Sequence, residues 1–159
     1  MNQHPRQYDG FLDFYRETYE TSISRTHASV LPDVSLIDLE QGAGDWSDAA
    51  HPELVFAQIR SPELKVRASF GDGVCLSHFR GAHGMIVQPP NAHVAIHIDN
   101  PHRFHVLAVP YQKLLALVGG DILPADGDFG RFSGTPFANA ELFNLVGSLR
   151  AEAEAGNPR

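Results

Sequence analysis

Apolar residues recur along the chain with three successive periods. In residues 8–19 (YDGFLDFYRETY), Tyr8, Phe11, Leu12, Phe14, Tyr15 and Tyr19 stand three and four apart, the spacing of a short amphipathic helix, with Asp9 placed to cap it. A helix this short is marginal alone in water, so its aromatic face must dock on other parts of the protein. The polar residues 21–29 (TSISRTHAS) then read as a loop.

From residue 34 to residue 109 the period becomes two. Seven short strands are predicted, over 34–40, 53–59, 64–70, 74–80, 85–88, 92–98 and 103–109. Alternation is clearest at 64–70, where Leu64, Val66, Ala68 and Phe70 should face inward. Turn chemistry separates the strands: Gly42-Ala43-Gly44, Ser61-Pro62, Gly71-Asp72-Gly73, the glycines 81 and 84, Pro89-Pro90-Asn91 and Asp99-Asn100-Pro101. No helical pattern interrupts them to make the crossovers that parallel strands need, so the sheet must be antiparallel.

After Pro110 the period returns to about 3.6. Residues 111–118 (YQKLLALV) form a helix that stops at Gly119-Gly120, and a Gly- and Asp-rich loop follows over 121–135. A second helix runs from about residue 138 to residue 155, with Leu142, Leu145, Val146 and Leu149 on one face and Phe143 beside them. Strands first and helices last give a mainly β fold, a small antiparallel barrel with C-terminal helices appended. The expected division is an N-terminal helix or arm over 1–30, a barrel over 31–110 and the helices over 111–159.

Composition narrows the functional classes. The chain has 159 residues, the size of one domain, and 43% of them are hydrophobic, enough for a substantial core. Against 12 Lys and Arg stand 19 Asp and Glu, a net charge of −7 with no basic run, which argues against a nucleic-acid surface on this chain itself. One cysteine, Cys75, excludes an internal disulfide, and its apolar strand lacks the cation that would activate it. No apolar run reaches a membrane span, so a soluble, cytoplasmic protein is expected.

Histidine is over-represented, with nine residues, six of them within residues 78–105. His93 and His97 share a strand face, and with His78 they could converge to hold zinc or iron. The alternative expectation is therefore a divalent transition metal on His78, His93 and His97. No Asp or Glu lies within residues 78–98 to complete such a set. The favoured expectation has no cofactor and takes a small ligand in the barrel. His78 and Arg80 share strand parity with Val74 and Leu76, His93 or His97 supplies a further donor, and Trp46 covers the mouth.

Residues 79–110 (FRGAHGMIVQPPNAHVAIHIDNPHRFHVLAVP) run from a glycine turn into a strand, through a Pro-Pro turn, to a last strand that ends at a helix. This resembles the second half of a cupin barrel. With YQKLLALVGG and residues 136–158 after it, the chain resembles the N-terminal effector-binding domain of AraC-type transcriptional regulators. The resemblance implies a cupin-like jelly roll that senses a small-molecule effector, and helices that form a homodimer through Leu142, Leu145, Val146 and Leu149. It also implies DNA binding by a helix-turn-helix domain absent from this chain. Metal-binding cupins carry G-x5-H-x-H followed by Glu, whereas here Gly71 is followed by His78-Phe79-Arg80. In the second motif Gly84 precedes Pro90 as it should, but the following Gly is missing and His97 stands where Asn is usual. These departures favour a non-enzymatic regulator over the alternative, a metal-dependent cupin enzyme of dioxygenase or isomerase type.

Overall fold

The computed structural model describes residues 8–27, 31–70 and 73–156, apart from the side chains of Phe70 and Arg131. The expected inward side chain of Phe70, the turn at Gly71-Asp72 and both ends of the chain therefore lie outside the described residues. Two antiparallel sheets face each other. The larger places side by side β1 (Ile23–His27), β2 (Ser35–Gln41), β9 (His102–Pro110), β4 (Glu53–Ile59), β7 (Gly84–Gln88) and β10 (Phe137–Ala138). The smaller orders β3 (Gly44–Asp45), β8 (Val94–Ile98), β5 (Glu63–Phe70) and β6 (Gly73–Arg80). Three helices are added: α1 (Phe11–Thr18), α2 (Tyr111–Val118) and α3 (Ala140–Ala155). The expected fold class holds, with mainly antiparallel β structure and a C-terminal helix. None of the described helices is long and apolar enough to cross a membrane.

Each of the seven predicted strands is present within two residues of its expected bounds. The stretch read as a loop differs, because residues 23–27 form β1. It is polar apart from Ile23, and its backbone ladder pairs it with β2, His27 lying opposite Leu36. The expected N-terminal arm thus supplies a strand to the sheet.

Alternation along the central strands buries both faces of the larger sheet. In β9, Phe104, Val106 and Ala108 point toward the smaller sheet and meet Leu64, Val66, Ala68 and Ile98. Leu107 and Val109 point the other way, beneath α3, where Val146 is completely buried with Leu36 and Met85. Tyr111 of α2 packs with Leu54 and Val87 on the same outer side. Asn139 caps α3, its side-chain oxygen accepting from the Leu142 N–H at 2.9 Å. Arg150 pins the other end of α3 to β2 through two bonds to the Asp38 carboxylate, at 3.0 and 2.8 Å.

The N-terminal helix docks inside. Phe11, Phe14 and Tyr15 are buried in the core between the sheets. Asp9 does not cap it. Gly10 occupies the cap position in extended conformation, and the carboxylate of Glu53, on β4, accepts the Phe11 N–H. A side chain at residue 10 would place its Cβ 3.1 Å from Glu53 Oε2, so glycine makes room for this cap from another strand. The Phe11 ring, 2% exposed, lies 4.4 Å from Tyr15 and 5.4 Å from His51, centroid to centroid. Phe11→Ala is expected to cost about 3–5 kcal/mol in urea unfolding, the range for deleting a buried aromatic ring. A loss below about 1 kcal/mol would show that α1 lies outside the cooperative core.

Candidate functional site

The structure reverses the expected orientation of His78 and Arg80. β5 and β6 pair so that Leu64 lies opposite Phe79 and Lys65 opposite His78. Opposed residues share a face, so Cys75, Ser77 and Phe79 turn inward while His78 and Arg80 stand outside with Lys65 and Arg67. The Arg80 side chain is 70% exposed, and both His78 and Arg80 bind the Glu63 carboxylate on the outer surface. Val74 and Leu76, the apolar residues that suggested an interior face, are themselves exposed.

Nor are the three candidate metal-binding histidines brought together. His93 is exposed ahead of β8. His97 lies opposite Arg67 and is held by Asp45 at 2.6 Å and Asp99 at 3.3 Å. Among the described residues, no group of three His, Cys, Asp or Glu side chains is placed to hold a metal ion. Of the helix residues expected at an interface, Val146 is consumed inside the chain, Leu142 and Leu149 are half-buried, and Leu145 stays exposed.

Trp46 lines an interior site. Between the sheets lies a cavity of about 50 Å³, walled mostly by apolar groups such as Val66, Ile96 and Phe104. Its polar members are Tyr15, Gln41, Trp46, Asp48 and Gln88. The loop carrying Trp46 and Asp48 is fixed to β8 by the Trp46 N–H donating to Ile96 O (2.7 Å) and by a reciprocal pair of bonds between Asp48 and Val94. The Trp46 indole packs edge-on against Tyr19 and His102 and donates to Gly42 O. Phe11 and Tyr15 of α1 complete the wall, so the helix closes the chamber.

The polar groups here are incompletely satisfied. Gln41 Nε2, Asp48 Oδ1 and His51 Nδ1 are buried without a hydrogen-bond partner. Burial pushes the Asp48 carboxyl up to about 7, and stabilising contacts from Tyr15 and Gln88 offset only part of that rise. Burial likewise raises the Tyr15 hydroxyl well above its ordinary value, with the neighbouring Asp48 adding to the effect. His51, next to Gln88 at 3.4 Å, is driven down to about 4 by burial and is neutral at physiological pH. His102 Nδ1 and Nε2 stand 2.9 Å from Asn100 O and Gln41 Oε1, and the neutral imidazole donates its one N–H to one of these oxygens. At neutral pH the chamber therefore presents a carboxyl balanced between its two protonation states, beside unbonded polar atoms and an apolar wall. Sequence reasoning passed over Asp48, Gln41, Gln88 and His102. The available signal was confined to Gln88, the single polar residue ending the apolar strand β7.

Asp48 leaves a mark on stability. Its folded pKa lies above its unfolded value, so the native state binds the extra proton between about pH 4 and 7 and this group's contribution is lost as pH rises through 7. His51 acts in the opposite sense, since its depressed folded value costs stability as pH falls from about 6.5 to 4. Asp48→Asn isolates the first effect by keeping the side chain neutral. Relative to the natural protein, its unfolding free energy is expected to increase between pH 4.5 and pH 8, by up to roughly 3 kcal/mol. A relative decrease over that range, in urea titrations at the two pH values, would contradict the assignment.

No protein-family model matches the chain, and no curated protein matches it. Among solved structures it is similar to the cupin domain of Cnp3 from Schizosaccharomyces pombe, at 11% identity over 66% of this chain and 72% of that one, with a TM-score of 0.45. It is also similar to an RmlC-like cupin family protein with a double-stranded β-helix fold from Methanocaldococcus jannaschii, at 17% identity over 52% and 75% of the two chains and a TM-score of 0.39. A third similarity is to oxalate decarboxylase of Bacillus subtilis, at 13% identity over 74% and 41%, with a TM-score of 0.39. The matched region is less than half the length of that enzyme.

Proposed function

We propose that this domain is a non-enzymatic sensor of a small molecule, serving as the effector-binding and dimerisation part of a transcriptional regulator of AraC type. One observation carries the reading: the chamber lined by Gln41 and Asp48, each with an unbonded buried atom, is walled on one side by α1. A cavity of about 50 Å³ holds only a few water molecules, so a larger guest must displace or reorder that helix. Occupancy of the barrel and the state of the N-terminal segment are then the same event, which gives a ligand the differential affinity for two arrangements that regulation requires. The guest that fits is small, with an apolar body and one hydroxyl or amide head able both to donate to Asp48 and to accept from Gln41. Its binding would act on a helix-turn-helix domain outside these residues.

Dimerisation through the outer helices belongs to the same proposal. An apolar groove of about 470 Å³ runs between α2 and α3 over Leu36, Phe56 and Leu107. Leu117 and Leu145 rise from its rims, 82% and 57% exposed. A second copy related by a two-fold axis offers the same ridge and groove in return.

Trp46 is the single tryptophan and lines the chamber, so its fluorescence reports on the site. In a thermal-shift series of short-chain alcohols, phenols and amides, a compound at 100 times its Kd is expected to add roughly 2.7 kcal/mol. The same compound should change Trp46 emission and the hydrogen exchange of residues 11–18. Stabilisation with neither change would place the ligand elsewhere and sink the sensor reading. Untagged protein is expected to contain no stoichiometric Fe, Zn, Mn or Ni, and such a content would favour the metalloenzyme instead. Sedimentation equilibrium at micromolar concentrations is expected to show a dimer that Leu117→Glu and Leu145→Glu disrupt without lowering Tm. A monomer at every concentration would refute the two-fold arrangement.

A further inference from the structure

The geometry points to a second binding site, on the opposite side of the larger sheet from the chamber, that takes a small organic or inorganic anion of carboxylate or phosphate type. It is a recess of about 440 Å³ between the sheet and α3. Gln58 of β4 and His105 of β9 form its floor, Arg60 stands at the end of β4, and Phe143, Ser148 and Arg150 descend from α3. No Asp or Glu side chain lines it. In a chain with 19 acidic residues against 12 Lys and Arg, two arginines line this recess, and the nearest carboxylates, Asp38 and Glu154, are both engaged by Arg150.

The donors are held in place before any ligand arrives. Arg150 spends two of its N–H groups on Asp38, at 3.0 and 2.8 Å, which fixes the plane of the guanidinium. Its Nη1 makes no hydrogen bond among the described residues. Glu154, 3.3 Å from Nη2, holds the same group from along α3. The Arg60 guanidinium lies over the Phe143 ring, 5.4 Å from its centroid, and forms no ion pair with any described residue. His105 Nδ1 donates to Gln58 Oε1 at 3.2 Å, and burial lowers the imidazole to about 4, so the ring is a neutral part of the floor whose Nε2 is an acceptor, 3.8 Å from Asp38 Oδ1. Two guanidiniums and the Ser148 hydroxyl thus line one space, beside an aromatic face able to support a flat organic portion. Planar, multiply donating arginine is the side chain suited to carboxylate and phosphate oxygens. The recess falls within the ~300–1,000 Å³ range of small-molecule sites.

Such an anion would bridge α3 to the end of β4, and the inference stands apart from any ligand in the chamber. The test is titration of isotope-labelled protein with inorganic phosphate and with succinate at constant ionic strength maintained by NaCl. Signals of His105, Ser148 and the Arg60 side chain are expected to move saturably with at least one probe, while the Trp46 indole signal stays still. Arg60→Gln should weaken that binding at least tenfold, and Ser148→Glu, which places a carboxylate in the recess, should abolish it. Both substitutions sit at the surface, and Ser148→Glu keeps the test decisive should the first perturb folding. Linear shifts that NaCl reproduces, or a Kd unchanged in both variants, would overturn the site.

Discussion

The rest of the molecule depends on a three-stranded ladder, β2–β9–β4, that is buried on both faces. Its paired residues alternate between the barrel interior and the helix layer, so Val106 and Ala108 serve one core while Leu107 serves another. A sheet with one wet face can stand with helices on neither side, but this one cannot. It requires the smaller sheet on one side and α2 and α3 on the other, and the three layers follow from that requirement. It also separates two polar sites by the thickness of one sheet. The chamber lies on the inner face, and the arginine-lined recess lies on the outer.

Much of this arrangement was legible in the chain because burial and periodicity coincide. The strands around β9 and the helices α2 and α3 stand where the spacing of their apolar residues places them. What escaped detection did so for identifiable reasons. β1 and β10 are formed by backbone pairing, with little apolar pattern of their own. In β6 the apolar pattern points the wrong way: Val74 and Leu76 face solvent, while Cys75, Ser77 and Phe79 face in. The hairpin partner held the better clue, because Lys65 and Arg67 lie opposite His78 and Leu76 and mark that face as wet. The cap of α1 was assigned to Asp9 by local rule, but a residue 42 positions away in sequence supplies it.

The candidate site was less legible than the fold because its character is collective. No short motif contains Tyr15, Gln41, Asp48 and Gln88, which come from a helix, two strand ends and a loop. Each is an ordinary polar residue until the core closes over it. The elevated pKa of Asp48 arises from apolar neighbours more than from any charged one, and only three-dimensional packing reveals that enclosure. Histidine count, the most conspicuous signal in the sequence, mostly marks the surface and the α3 junction: His78 and His97 pair with carboxylates outside, and His27 and His105 gather around Asp38.

The cap that Glu53 provides for α1 ties a local helix–coil equilibrium to the barrel rim. An eight-residue helix has little intrinsic tendency to persist, and its first turn is nucleated here by an oxygen that belongs to a rigid strand. The lid therefore has no hinge in the usual sense. Away from the rim, a helix of eight residues is marginal in water. Opening then carries the entropy of several freed residues with it, so the two states differ in disorder as well as position. In the sensor proposed above, order gained or lost over residues 11–18 would itself be the signal.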